Sequence, residues 1–153
     1  MQLSKNLSLK EVIKSNTATR KRIDNSPTEE HLTNLKAIAL NVFQPMRNQL
    51  GSITVSSGYR SKKLNSAIKG SRTSQHCKGQ ALDLDNDFKP GRATNTEIFN
   101  FIKDNLIFDQ LIWEFGNEGP DWVHVSYNPS GMNRGKILRA VRGKWGTSYL
   151  NFK

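Results

Sequence analysis

Two short segments in which polar and apolar residues alternate strictly constrain the fold more than any other feature of the chain. One is ALDLD at 81–85 and the other is WVHVSY at 122–127. A period of two is that of a β-strand with one buried face. If the leucines and valines face the core, Asp83 and His124 both project from the opposite face. The pattern therefore predicts a sheet whose second face offers a carboxylate and an imidazole to a common cleft.

Helical patterns come before these strands. Residues 8–15 predict a short helix with a serine and a glutamate in capping-box spacing. The run Ser-Pro-Thr-Glu at 26–29 predicts the start of a longer helix that ends near Gly51, with Pro45 expected to kink or shorten it. The predicted fold class is therefore α+β, with N-terminal helices packed on a small, mainly antiparallel sheet.

Shorter patterns complete the chain, and none of them divides it. We expect a strand beginning in 53–60, helices at 61–69 and 94–105, and a strand at 109–115. The pattern of the tail after residue 130 does not distinguish a helix from a strand. Because no linker, repeat or low-complexity tract interrupts the sequence, we expect a single domain over 1–153.

The net charge of +10 is distributed unevenly. Residues 1–72 hold 13 Lys/Arg against 4 Asp/Glu, residues 73–130 hold 4 against 9, and residues 131–153 hold 6 against none. An acidic middle segment in a basic protein indicates a place for a cation. The basic flanks suit an anionic partner such as nucleic acid, a membrane surface or an anionic wall polymer, or they only aid solubility.

A metal site in this chain has few ligands to draw on. The single cysteine, Cys77, excludes both an internal disulfide and a cysteine-cluster zinc site. An imidazole and a carboxylate on neighbouring strands suit zinc with an open position. His76 lies seven residues before Asp83, and Gly79 between them lets the chain turn, but this spacing alone is also typical of a structural histidine.

Three elements of the chain resemble a known family. Residues 74–83 (SQHCKGQALD) resemble the S-x-H-x-x-G-x-A-x-D signature of the zinc D-alanyl-D-alanine carboxypeptidases and L-alanyl-D-glutamate endopeptidases. This group has the hedgehog-like metallopeptidase fold and includes many phage endolysins. Residues 57–60 (SGYR) and 121–124 (DWVH) resemble its upstream and closing elements. The similarity extends from about residue 8 to 127.

The resemblance implies a role for five residues. His76, Asp83 and His124 take the positions of the zinc ligands, so that the predicted sheet carries the metal site. Asp121 takes the position of the general base that activates the zinc-bound water. Arg60 takes the position of the residue that binds a substrate carboxylate or stabilises the oxyanion.

Four other residues are alternatives for the general base or for a metal ligand. Strand parity puts Asp121 on the opposite face from His124, so Glu114 and Glu118 compete with it as the base. Asp85 and Cys77 are the first replacements to test if a ligand is misassigned, although a surface carboxylate and an incidental thiol are the simpler interpretations.

The expected function is hydrolysis of peptide bonds in the peptidoglycan stem by a monomeric, phage-type endolysin or related wall hydrolase. A non-catalytic zinc module of a wall or virion is the alternative, and specific nucleic-acid binding is not expected because no recognised module is present. The first residues lack the apolar stretch of a signal peptide, and no run spans a bilayer. We therefore expect the host cytoplasm with release to the wall, or a virion.

Overall fold

Helices dominate the first half of the chain and strands dominate the second. A computed structural model describes residues 1–153. The strands are β1 (Gln2–Ser4), β2 (Leu7–Ser8), β3 (Val55–Ser57), β4 (Ala81–Leu84), β5 (Gln110–Glu114), β6 (Trp122–Ser126), β7 (Lys136–Gly143) and β8 (Gly146–Asn151). The helices are α1 (Leu9–Ile13), α2 (Asn16–Lys21), α3 (Glu29–Ile38), α4 (Gln44–Leu50), α5 (Lys62–Ala67) and α6 (Asn95–Asn105). The predicted α+β class is confirmed.

The strands form one large and one small sheet. The large sheet has six strands in the order β3-β4-β6-β5-β7-β8, and β1 pairs with β2 separately. The β5–β7 pair is parallel, whereas the other pairs of the large sheet are antiparallel. The sheet is therefore mixed and larger than the small, mainly antiparallel one that was predicted. None of the helices is both long and apolar enough to cross a bilayer.

The central strands of the large sheet have two chemically different faces. One face carries only apolar residues of β4, β5 and β6; it packs on α6 and shares the main core with apolar residues of α3 and α4. Its members are Leu82, Leu84, Leu111, Trp113, Val123 and Val125. The opposite face carries Asp83, Glu114 and His124, because residues of opposite parity project from opposite sides of a strand. Hereafter this second side is called the cleft face.

Helix starts follow the capping chemistry. The predicted capping box of α1 is present, since the Ser8 and Glu11 side chains each accept from the other's backbone N–H. Helix α3 begins within the predicted start at 26–29: Thr28 is its N-cap, and His31 occupies the third helical position. Thr28 accepts from the His31 N–H and thereby satisfies an N–H that has no partner within the helix.

The long helix is interrupted close to Pro45, as expected. Residues Ala39–Phe43 form a π-helical turn between α3 and α4. Proline has no backbone N–H, so the regular pattern of hydrogen bonds cannot continue through this position. A π turn widens the helix by one residue and absorbs the irregularity while the chain stays helical.

The C-terminal tail, for which no element was predicted, forms an antiparallel hairpin of β7 and β8. The hairpin extends the large sheet beyond β5 through the parallel β5–β7 pairing. Its tip is strongly exposed, with Trp145 at 92%. The hairpin therefore projects from one edge of the sheet, and the cleft face continues along it.

Candidate metal centre

Asp83 and His124 are direct neighbours across the β4–β6 pair. His124 Nδ1 lies 3.1 Å from Asp83 Oδ1. Both side chains are mostly buried, at 11% and 16% exposure for His124 and Asp83. Register therefore places a carboxylate and an imidazole in contact on the cleft face.

His76 reaches the same carboxylate from the loop before β4. It lies in a 3-10 turn, Gln75–Lys78, that ends at Gly79 in the left-handed region with φ 72°. A Cβ on Gly79 would lie 2.6 Å from the His31 carbonyl oxygen, so only glycine fits this close approach. The turn brings His76 Nε2 to 3.2 Å from Asp83 Oδ1.

The tautomer of His76 follows from its other ring nitrogen. Nδ1 lies 2.6 Å from the Gly58 carbonyl oxygen, which can only accept a hydrogen bond. In the neutral ring, Nδ1–H therefore donates to Gly58, and the Nε2 lone pair faces the Asp83 carboxylate. Two acceptors this close require a positive charge between them, either a proton or a metal ion.

The three side chains fit a divalent metal. One ligand atom from each of His76, Asp83 and His124 lies within 4.8 Å of the other two. Two imidazoles and one carboxylate are a ligand set that zinc uses in sites with an open position. His124 Nε2 is buried and has no hydrogen-bond partner, which leaves part of this ring's bonding capacity unused. The Gly58 carbonyl supplies the outer hydrogen bond that orients the His76 ring.

The electrostatics of the centre favour a charged Asp83. Burial opposes its ionisation, but when both imidazoles are protonated, their charges and their hydrogen bonds to Asp83 hold the pKa of the carboxyl well below its usual range. Asp83 therefore stays anionic at neutral pH and is the one fixed negative charge that contacts both imidazoles.

Glu114 is the second carboxylate of the cleft. It lies opposite Trp122 in the β5–β6 pair, one row along the cleft face from His124. Glu114 is 7% exposed, and burial raises the pKa of its carboxyl to about 7, with His124 opposing and Asp83 adding to the rise. A nearly neutral pKa suits a group that accepts and releases protons.

Asp121 is the residue predicted as the general base, and its backbone N–H donates to the Glu114 carbonyl oxygen over 2.9 Å. It precedes β6, its side chain is 50% exposed, and its carboxylate lies 3.7 Å from the Arg142 guanidinium. It is absent from the residues that line the cleft, whereas Glu114 is among them. Asp121 therefore lies before the strand, as parity required, and its carboxylate faces a surface arginine.

Arg60 lines the cleft near His76. Its backbone N–H donates to the His76 carbonyl oxygen over 3.2 Å, which ties the SGYR segment to the turn that carries the histidine. The Arg60 Nε is buried without a partner. Because Arg60 lines the cleft, its guanidinium brings a positive charge towards a bound anionic group.

These residues surround one cleft of about 600 Å³ on the cleft face. On the His76 side the cleft is bounded by a loop of small polar residues, and on the Glu114 side it is bounded by the β7–β8 hairpin. The lining of the cleft includes Arg60, Lys69, His76, Asp83, Glu114, Trp122, His124, Leu138 and Tyr149.

The other candidates have structural partners. Asp85 accepts hydrogen bonds from the Asn95 side chain and the Asp87 N–H, so it holds the loop after β4. Cys77 is half-buried, and burial raises the pKa of its thiol. Glu118 is exposed and does not line the cleft. The structure therefore brings none of these three residues into the group around Asp83.

An ion pair that was not predicted supports the metal centre. Asp109 accepts from both the Nε–H and an NH2 group of Arg134, at 2.9 and 2.8 Å, and from the Gln75 side chain at 2.8 Å. These bonds, led by those from Arg134, lower the pKa of Asp109 to about 2. Gln75 precedes His76, so the pair anchors the turn that carries a candidate ligand. Its partners lie far apart in sequence, and no local pattern indicated them.

Comparison with known proteins adds an independent finding. A model of the family described as Peptidase M15 matches residues 5–126, about four fifths of the chain. The match includes the segments that carry His76, Asp83, Glu114 and His124 and ends before the β7–β8 hairpin. No curated protein matches the chain significantly. The chain therefore belongs to the Peptidase M15 family, a family of metallopeptidases.

Proposed function

We propose that this chain is a single-domain zinc peptidase that hydrolyses peptide bonds of the peptidoglycan stem, as a phage-type endolysin or a related wall hydrolase. The observation that carries the proposal is the contact of two imidazoles with one buried carboxylate in a cleft that also contains Glu114. This group lies inside the segment that matches the peptidase family.

The proposed zinc ligands are His76, Asp83 and His124. Zinc held there would supply the Lewis acidity that makes water a nucleophile at neutral pH. The protein's own contribution is to hold the ligands before the metal arrives: the Gly58 carbonyl orients one ring, and β4–β6 pairing fixes the other ring against the carboxylate.

We assign the general base to Glu114. Its carboxylate lines the cleft beside the ligand group, and its pKa of about 7 suits proton transfer near neutral pH. In this role Glu114 accepts a proton from the attacking water and passes it to the leaving amine. Asp121, which matches the family motif, is the rival assignment, but its carboxylate is half exposed and paired with Arg142.

Arg60 is proposed to bind an anionic group of the substrate or the oxyanion that forms during attack. Arg60 lines the cleft, and a guanidinium remains charged at any working pH. Lys69 lines the same cleft and adds a second positive charge. A peptide that carries a free carboxylate, as peptidoglycan stems do, suits this arrangement.

The proposed location is the bacterial wall, reached from the host cytoplasm or carried on a virion. The net charge of +10 favours accumulation of a small basic enzyme on an anionic wall polymer. This attraction is electrostatic, so binding to whole walls should weaken steadily as salt is raised.

The test is to incubate zinc-loaded protein with purified peptidoglycan and to measure new amino termini and the masses of released fragments. We expect new termini that appear only with metal and are lost on chelation. Glu114→Gln should release at least about a hundredfold less per unit time, the usual size of a general-base effect. Glu118→Gln is the matched control, since Glu118 is an exposed glutamate outside the cleft.

The alternative function is a non-catalytic zinc module of a wall or virion. It predicts stoichiometric zinc and wall binding without new amino termini, and equal behaviour of wild type and Glu114→Gln. That result would reject the enzyme.

A further inference from the structure

The β7–β8 hairpin contributes to the cleft although it lies outside the segment that matches the peptidase family. The match ends at residue 126, and the hairpin begins at Lys136. Leu138 and Tyr149 nevertheless line the same cleft as His124 and Glu114. One wall of the candidate site is therefore built from a part of the chain that the family pattern does not cover.

Tyr149 shares a row of the sheet with Glu114. Residues Glu114 and Ala140 are register partners, and so are Ala140 and Tyr149. Ala140 is fully buried and small, so no large side chain of β7 separates Tyr149 from Glu114 in this row. Burial, followed by the negative charges of Glu114 and Asp83, raises the pKa of the Tyr149 phenol, as expected for a hydroxyl close to both carboxylates.

Leu138 occupies the neighbouring row. It is the register partner of Ile112, which is in turn the partner of His124. Leu138, Ile112 and Ala140 form a small apolar cluster on the cleft face. The hairpin side of the cleft is therefore apolar at its base and ends in the Tyr149 ring, which is 55% exposed.

The two sides of the cleft differ in charge. The positively charged residues that line it are Arg60 and Lys69, and both lie on the side of β3 and α5. The hairpin side contributes no cation to the lining. Four strand spacings separate β4 from β8, about 19 Å, which an extended peptide of roughly five or six residues would span.

We propose that Leu138 and Tyr149 form a subsite for an uncharged side chain of the peptide, on the side of the scissile bond away from Arg60. The proposal rests on the proposed peptidase function and adds the orientation of the substrate: its anionic group lies at Arg60 and Lys69, and its uncharged residue lies at the hairpin. The β7–β8 hairpin then determines specificity.

The experiment compares one blocked stem tetrapeptide with versions lengthened by one leucine at either end. Each peptide is assayed with zinc-loaded wild type, Tyr149→Ala, Tyr149→Phe and Ser148→Ala. Ser148 is the matched control, since it adjoins Tyr149 on β8 but projects from the opposite face. All four proteins contain residues 1–153, and position 149 is exposed enough for folding to be retained.

We expect leucine at one end to raise kcat/KM about tenfold in wild type, mainly through KM, as is usual for an apolar subsite contact. Tyr149→Ala should lose this gain, whereas Tyr149→Phe and Ser148→Ala should keep it. An equal gain in Tyr149→Ala and wild type, or no gain at either end in wild type, would overturn the proposal.

A binding measurement separates this inference from the proposed function. If wild type cleaves none of the peptides, their affinities are measured by titration calorimetry. A tenfold affinity gain for the lengthened peptide that Tyr149→Ala loses would support the subsite while rejecting the peptidase. Cleavage with no dependence on Tyr149 would reject the subsite while supporting the peptidase.

Discussion

The two faces of β4, β5 and β6 differ in chemistry: one is apolar and buried in the core, and the other carries charged and polar side chains in a cleft. On one face, Leu82, Val123 and Val125 are completely buried in the main core. On the other face, the adjacent residues Asp83 and His124 hold a charge in a cleft. Consecutive residues of one strand therefore have different roles: one is buried in the core and stabilises the fold, and the next belongs to the candidate metal site.

The apolar face stabilises the strands on which the cleft face holds its charged residues. A buried carboxylate is costly unless it is paired, and Asp83 is paired with two imidazoles. The apolar face contributes the burial that holds the strands in register. Substitutions on the cleft face should thus change activity with little effect on folding, and substitutions on the core face should do the reverse.

The largest effect is expected for Asp83→Ala. Loss of the carboxylate that contacts both imidazoles should reduce kcat/KM on stem peptides at least about a thousandfold, since a ligand and the charge that orients two others disappear together. Steady-state kinetics with zinc present would measure it. The circular dichroism spectrum should stay that of wild type; an unfolded variant would contradict the separation of the two faces.

Glu114→Gln and Asp121→Asn sharpen the assignment of the base. We expect a loss in kcat of about a hundredfold or more for Glu114→Gln and less than about fivefold for Asp121→Asn. Both substitutions remove a charge and preserve shape, so each serves as the control of the other. The reverse ranking would return the role to Asp121.

Leu82→Ala tests the opposite face. Leu82 is fully buried next to Asp83, and its truncation should lower the free energy of unfolding by about 2–5 kcal/mol. Urea denaturation measures this loss. At a temperature where the variant remains folded, its kcat should stay within about threefold of wild type, and a large loss of kcat would show that the faces are not independent.

Asp109→Asn gives the smallest effect and one that depends on pH. The folded-state pKa of Asp109 is lowered to about 2, so its ionised form stabilises the fold above the unfolded-state pKa of about 4. This stabilisation is lost as the pH falls from about 4 to 2. Because Arg134 is half exposed, we expect only about 1 kcal/mol.

The measurement is urea denaturation of wild type and Asp109→Asn at pH 6 and at pH 2.5. The variant should be less stable at pH 6, and the gap should narrow at pH 2.5. A gap that is constant with pH would mean that the ion pair does not contribute.

The sequence predicted correctly those elements that depend on residues close together in the chain. The capping box of α1, the effect of Pro45 and the alternation in β4 and β6 all depend on residues a few positions apart. The α+β class followed from these elements. The positions of Asp83 and His124 on one face followed from parity alone.

The features that the sequence did not predict mostly depend on contacts between residues far apart in the chain. Glu114 could not be distinguished from Asp121 because its place in the cleft follows from its register with Trp122. The β7–β8 hairpin was not predicted because Lys and Arg interrupt the apolar residues of β7 and every residue of β8 is exposed, so little apolar alternation marks these strands. Helix α2 and the β1–β2 pair were also missed, since each is very short.

The metal centre is tested most directly by the metal content of purified wild type, Asp83→Ala and Leu82→Ala, measured by plasma mass spectrometry after dialysis against zinc. These neighbouring residues lie on opposite faces of β4. We predict about one zinc per chain in wild type and Leu82→Ala, and almost none in Asp83→Ala. Stoichiometric zinc in Asp83→Ala, or its absence from wild type, would contradict a metal centre on the cleft face.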